Sequence, residues 1–257
     1  MKFSVVIPAH NEAGNLAAAV ESTAQALTGA GLDYEIMVVN DNSEDDTVSV
    51  LSRLCSRNPA VRAVHNTGPR GFGMAVRAGL RHFTGDAVAI VMADGSDSPE
   101  DIVRYFGKIL EGYECVFGSR FVRGGRIIDY PPHKLLLNRL ANWFVKTLFR
   151  IPYNDVTNAF KCYRRNVITG IGPLISKHFN LTVEMPLKAI VRGYSFTVIP
   201  ISWTNRKVGL SKLKIQEMGS RYLFIVLYVW LEKVLSRGDY RREKAAAAQQ
   251  ASERTHV

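Results

Sequence analysis

At 257 residues and 47% hydrophobic composition, the chain can bury one sizeable core with room for a smaller appendage. Its three cysteines, Cys55, Cys115 and Cys162, lack metal-type spacing and leave an odd thiol in any pairing. That excludes a disulfide framework and points to a reducing, cytosolic compartment. The net charge of +10 is uneven: residues 1–120 carry 10 Lys/Arg against 15 Asp/Glu, or −5, and residues 121–257 carry 23 against 8, or +15. An acidic ligand-handling half and a basic half that meets an anionic partner follow from this split. Charge alone admits both nucleic acid and an anionic membrane surface, though no nucleic-acid recognition module accompanies the basic half.

The first strand-like run, Phe3–Ile7, begins near the N-terminus with no signal-peptide pattern before it. Further runs at Glu35–Val39, Val61–His65, Ala87–Met92 and Glu114–Gly118 alternate with helical patterns over Leu16–Leu27, Asp46–Leu54, Met74–Phe83 and Asp101–Leu110. This order predicts an α/β fold: a mostly parallel, twisted sheet with helices on both faces.

Four of these runs end in polar cargo. The first delivers Pro8, Asn11 and Glu12, and the second Asn40-Asp41-Asn42-Ser43. The third leads into a glycine-rich turn containing Gly68, Arg70, Gly71 and Gly73. The fourth, Val88-Ala-Ile-Val-Met-Ala-Asp94, stops at Gly-Ser-Asp97-Ser-Pro99. Ligands of open α/β sheets bind at the carboxyl ends of the strands, so these groups are expected to share one edge. Asp94 and Asp97 are candidates for a metal ion that holds phosphate, although Asp97 also reads as a cap of the helix that follows. Asp41 can accept hydrogen bonds from a base or ribose, or serve as a helix cap. The glycines permit close backbone approach to an anion.

After Arg120 the pattern changes. Two amphipathic stretches, His133–Arg150 and Ile215–Leu235, set aromatic-rich apolar faces beside basic residues. The run Tyr222–Leu231 is about half of what a spanning helix requires. Packing on the sheet or lying on a membrane surface with cations at headgroup level both suit such helices; the basic flanks favour the membrane.

Taken together, the motifs resemble the family 2 glycosyltransferases, in particular the polyprenyl (dolichyl) phosphate mannose synthase group. The matches are Pro8, Asn11 and Glu12; Asn40-Asp41-Asn42-Ser43; Gly71 to Gly79; Met92-Ala93-Asp94 at the Asp-x-Asp position; and Gly118-Ser119-Arg120. The series continues through Asp155–Arg165 and Glu184, and closes on Arg206, Gly209, Ser211 and Lys212. Three departures stand out: Met92 for the first carboxylate of Asp-x-Asp, Asn40 for an acidic residue, and Asn158-Ala159 for Gly-Ser.

The resemblance implies a GT-A-type, Rossmann-like domain over 1–214, with a nucleotide-sugar half (1–120) and an acceptor half (121–214). An interfacial helical segment (215–244) and a disordered tail (245–257) would follow. It implies an inverting transfer of a hexose from GDP-mannose or a UDP-hexose to a polyprenyl phosphate, with Mg²⁺ or Mn²⁺, at the cytoplasmic face of the membrane. A membrane-protein partner is also open. The donor would contact Pro8, Asn11, Glu12, Asp41, Gly71, Gly73, Asp94 and Glu184, and the metal Asp94 and Asp97. Arg120, Arg126, Arg206, Ser211 and Lys212 would hold the acceptor phosphate, with Asp94, Arg120, Arg206 and Lys212 carrying catalysis. Two rivals remain: transfer to a saccharide hydroxyl with Asp129, Asp155 or Glu184 as base, and a degenerate nucleotide-sugar-binding scaffold.

Overall fold

The computed structural model describes residues 1–205 and 215–242. Strand β1 (Lys2–Ala9), helix α1 (Leu16–Gly29), β2 (Asp33–Asn40), α2 (Thr47–Arg57), β3 (Val61–His65), α3 (Phe72–His82), β4 (Ala87–Ile90), α4 (Pro99–Leu110) and β5 (Cys115–Ser119) realise the expected alternation. The chain continues through β6 (Arg126–Ile128), α5 (Pro132–Phe149), β7 (Lys161–Arg164), α6 (Arg165–Gly170) and α7 (Leu181–Val191). It then forms β8 (Phe196–Pro200), β9 (Ser202–Thr204) and α8 (Ile215–Leu235).

The main sheet has seven strands in the order β3-β2-β1-β4-β7-β5-β8, and β6 pairs with β9 separately. Strands β1 to β4 pair in parallel, as do β5 and β8; β7 runs antiparallel between β4 and β5. The apolar runs of β1, β4 and β5 are buried because helices cover both sheet faces. Helix α4 shows how a flanking helix is specified. Pro99 sits in its first turn beside Glu100 and Asp101, and Ile102, Tyr105, Phe106 and Ile109 bury one face. Phe106 stacks on Phe3 of β1 with ring centroids 4.3 Å apart. Burial of each such side chain is worth roughly 1.5–3 kcal/mol.

Strand β4 ends two residues before the expected Met92 because the chain turns there. The Met92 amide leaves the ladder and donates to Asp97 Oδ2 at 3.0 Å. At the opposite edge of the sheet, buried Glu35 accepts from Ser4 Oγ (2.6 Å), Thr84 N and Oγ1, and Arg62. Burial pushes its carboxyl up, but these donors outweigh it and hold the group at about 2.

Helices α5 and α8 each have two faces. Helix α5 buries Asn142, Val145 and Phe149 but exposes Leu136, Leu140 and Trp143. Helix α8 contributes Ile225, Val226 and Val229 to the core and exposes Leu223, Phe224, Leu227 and Leu231. Arg192, at the end of α7, forks onto Glu232 at 2.8 and 3.0 Å, and Lys233 Nζ donates to Phe149 O at 2.5 Å. Helix α8 is thus packed against the core through Ile225, Val226 and Val229. No described helix is long and apolar enough to cross a membrane. The expected tail (245–257) and the motif residues Arg206, Ser211 and Lys212 lie outside the described residues.

Candidate active site

The carboxyl ends of β1 to β4 meet one cleft of about 1040 Å³, whose far wall is formed by α5 and α8. At the end of β1, Pro8, His10 and Glu12 line it. Asn11 does not. It takes a left-handed backbone (φ 53°), its amide donates to Ser43 Oγ at 3.0 Å, and its Oδ1 accepts from Glu44 N at 2.8 Å. Asn11 therefore fastens the turn after β1 to the turn after β2, and acts by positioning.

Asp41 is buried at the cleft floor with both carboxylate oxygens occupied: Oδ1 accepts from Asn66 Nδ2 at 2.7 Å and Oδ2 from the Gly71 amide at 2.8 Å. It shapes the glycine turn from beneath. Gly71 and Gly73 are required by close approach. A Cβ at Gly71 would lie 2.5 Å from Lys177 O, and one at Gly73 2.6 Å from Ser176 O. The start of α3 thereby lies against segment 176–178 and carries His178 and Phe179 to the cleft. Gly73 itself does not line it.

His10 sets the rim. Its Nδ1 is 2.9 Å from Asp41 O, a pure acceptor, so Nδ1 carries the proton and Nε2 is left to accept from Arg70 at 3.3 Å. Arg70 is thus held at the cleft by the residue that anchors the β1 turn.

The loop after β4 contributes Met92, Asp94, Ser96 and Asp97. Asp94 Oδ1 accepts from the Ser96 amide at 3.1 Å. Asp97 is buried, and its burial, aided by the Asp94 charge, pushes its carboxyl up to about 7 although Met92 N donates to it. Among the described residues no three His, Cys, Asp or Glu side chains form a metal cluster. The donor set suits a cation that brings most of its ligands with it, such as Mg²⁺ or Mn²⁺ shared with a diphosphate and waters. Asp94 is the carboxylate suited to it; Asp97 is turned onto the backbone behind.

Arg120 lines the cleft but is not a free cation. Its backbone N, Nε and one terminal nitrogen all donate to Asp155, at 2.9, 2.8 and 2.7 Å, and both side chains are buried. The paired carboxylate raises the guanidinium above its ordinary value against the opposing effect of burial. Trp203 on β9 covers this pair, with the Arg120 guanidinium 5.9 Å from its ring and Tyr130 edge-on at 5.1 Å.

Three expectations are corrected. Glu184 is fully buried away from the cleft: it accepts from the Ile175 and Ser176 amides (2.8 and 2.7 Å) and pairs with buried Lys188 at 2.7 Å. It secures the turn that α3 packs against and lies outside the cleft lining. Arg126 is exposed on β6 and does not line the cleft, although its partner strand β9 brings Trp203 to it. Asp155, once a candidate base, has both oxygens committed to Arg120.

The cleft also gathers residues that the sequence reading did not select as site residues. Tyr130, Asn138, His178, Phe179, Trp203 and Arg221 come from distant elements. None sits in a local motif of its own, so only the tertiary arrangement identifies them.

This fold has counterparts. A family model for glycosyl transferase family 2 matches residues 4–171, and the chain belongs to that family. It is a glycosyltransferase.

The chain is 33% identical over 217 residues to polyprenol monophosphomannose synthase of Mycolicibacterium smegmatis, covering 81% of this chain and 80% of that protein. It is 32% identical over 219 residues to dolichol-phosphate mannosyltransferase of Pyrococcus furiosus, covering 83% and 60% respectively. Glucosyl-3-phosphoglycerate synthase of Mycobacterium tuberculosis, solved with Mn²⁺, UDP and phosphoglyceric acid, shares the fold at TM-score 0.66 and 19% identity over 90% of this chain and 78% of that one. A complex of the same enzyme with Mg²⁺ and UDP gives TM-score 0.64 at 18% identity over 90% and 79%.

Proposed function

We propose that this enzyme moves a hexose, with inversion, from GDP-mannose or a UDP-hexose to a polyprenyl phosphate at the cytoplasmic face of a membrane. One observation carries the reading: a single cleft has polar strand ends on one side and, on the other, two helices whose outer faces are apolar and exposed. A water-soluble donor and a lipid acceptor need such a meeting of surfaces.

The donor diphosphate belongs at the strand ends, beside Glu12, Arg70 and Gly71. Mg²⁺ or Mn²⁺, when bound, would be held by Asp94 and would neutralise charge on the departing diphosphate. A phosphate monoester has its second pKa near about 6 and is largely dianionic at neutral pH, so it attacks without a protein base. Of the three candidate bases for transfer to a sugar hydroxyl, Asp155 is committed to Arg120, Glu184 to Lys188, and Asp129 does not line the cleft, which supports the phosphate acceptor. Lys134 and Arg221 on the acceptor side are suited to orient the acceptor phosphate, while Arg120, neutralised by Asp155, builds the cleft floor beside them. The outer faces of α5 and α8, with Trp143, Leu140 and Phe224 exposed, are suited to an anionic bilayer surface.

The test is incubation with labelled GDP- and UDP-sugars, Mg²⁺ or Mn²⁺ and undecaprenyl phosphate. Labelled, chloroform-extractable lipid is expected. Tight nucleotide binding with no lipid product under any metal would favour a non-catalytic subunit instead.

A further inference from the structure

Gly219 lies inside α8, where glycine is a poor helix former. Among the described residues neither of the usual reasons for keeping one applies. Its backbone is not left-handed, and no described heavy atom comes within 4 Å of where its Cβ would stand. It is exposed, and it lines the cleft. Leu223 and Val226 follow it at helical spacing on the same cleft-lining face, and Leu137 and Phe144 line the cleft from α5.

The two helices meet at their C-terminal ends through Lys233 and Phe149, and both contribute earlier residues to the cleft. Lys134 and Arg221 stand on the same two helices and also line it. A gap with apolar walls, cations on both helices and an opening into the reaction cleft calls for one molecule with an anionic head and an apolar tail.

We propose that Gly219 is a specificity-determining residue whose missing side chain opens the path of the acceptor's isoprenoid tail between α5 and α8. The inference rests on the acceptor assignment above. A side chain at 219 would fill the gap without striking a described neighbour, so it would oppose the lipid and leave the fold intact.

The experiment compares wild type with Gly219→Ala, Gly219→Leu and Gly219→Trp in detergent with undecaprenyl phosphate. The KM for undecaprenyl phosphate is expected to rise with side-chain size, by about ten- to a hundredfold for Leu and Trp, while the donor KM stays within about twofold. Melting temperatures are expected at or above wild type, since each substitution removes a helix glycine.

A second measurement does not depend on the bulky variants folding. Cys115 and Cys162 are buried and Cys55 is half-buried, so alkylation of a Gly219→Cys variant in excess of wild type reports on the new thiol. Undecaprenyl phosphate is expected to slow alkylation at least threefold, and nucleotide alone is not. An unmoved acceptor KM in the Leu and Trp variants, parallel rises in donor and acceptor KM, or alkylation indifferent to the lipid each overturns the inference. Wild-type protein that transfers no sugar to undecaprenyl phosphate overturns the acceptor assignment and this inference together.

Discussion

Replacing Asp155 by asparagine tests how the cleft floor is built. In the native protein Asp155 takes three hydrogen bonds from Arg120, at 2.7–2.9 Å, with side-chain exposures of 0% for Asp155 and 7% for Arg120. An amide of the same shape leaves the guanidinium buried without its counter-charge. Breaking a buried pair from one side costs about 3–5 kcal/mol. For a chain of this size that lowers Tm by about 6–20 °C, at about 2–4 °C per kcal/mol. Removing both charges together, as Arg120→Met with Asp155→Leu, is expected to cost far less than the two single changes summed, with a coupling of at least about 2 kcal/mol. Thermal unfolding of wild type, Arg120→Met, Asp155→Leu and the double variant closes the cycle, with Asp155→Asn measured beside them. An Asp155→Asn variant that melts within about 2 °C of wild type, or additive single and double changes, refutes the account.

Four further outcomes follow from the geometry. Glu35 has its carboxyl held at about 2 against an ordinary 4.5, so its stabilisation is complete above 4.5 and is lost as pH falls towards 2. Glu35→Gln should therefore cost roughly 2 kcal/mol near neutrality, a figure reduced for the exposed Arg62 and Lys2 partners, and the gap to wild type should close in acid; a pH-independent gap in chemical denaturation would contradict this. Gly73→Ala drives a Cβ to 2.6 Å from Ser176 O and should cost about 1–3 kcal/mol while weakening nucleotide affinity, although residue 73 never touches the cleft. Asp94→Asn should lower transfer by at least about a hundredfold and abolish the Mn²⁺ dependence of nucleotide affinity in calorimetry, and an unchanged Mn²⁺ effect would remove Asp94 from the metal. Trp143→Asp with Leu140→Asp, both at exposed positions on α5, should leave Tm unmoved but reduce flotation with anionic liposomes more than about tenfold, and unchanged flotation would free that face of a lipid role.

The parallel sheet was legible because its strands are buried on both faces and their apolar runs stop abruptly at polar residues. That pattern placed β1 to β5 within a few residues and put Asp41, Gly71 and Asp94 at one cleft. Strands β7 and β8 escaped notice because Lys161–Arg164 is short and polar at both ends, while Phe196–Pro200 is only half-buried at the sheet edge. Glu184 illustrates a different limit. Its place in the motif series suggested a sugar contact, but whether a carboxylate faces a ligand or an inward lysine four residues on depends on which side of α7 meets the core.

The amino-acid order by itself determined the class of fold, the polar strand ends and the amphipathic character of α5 and α8, because these arise from hydrophobic periodicity and local turn chemistry. Tertiary structure alone decided which charges are spent and which can act. Asp155 neutralises Arg120 from 35 residues away, and the Gly71 amide closes onto Asp41 across 30. His10 aims Arg70 across 60. Pairings over such separations depend on how the sheet and helices pack, and no local stretch of sequence encodes them.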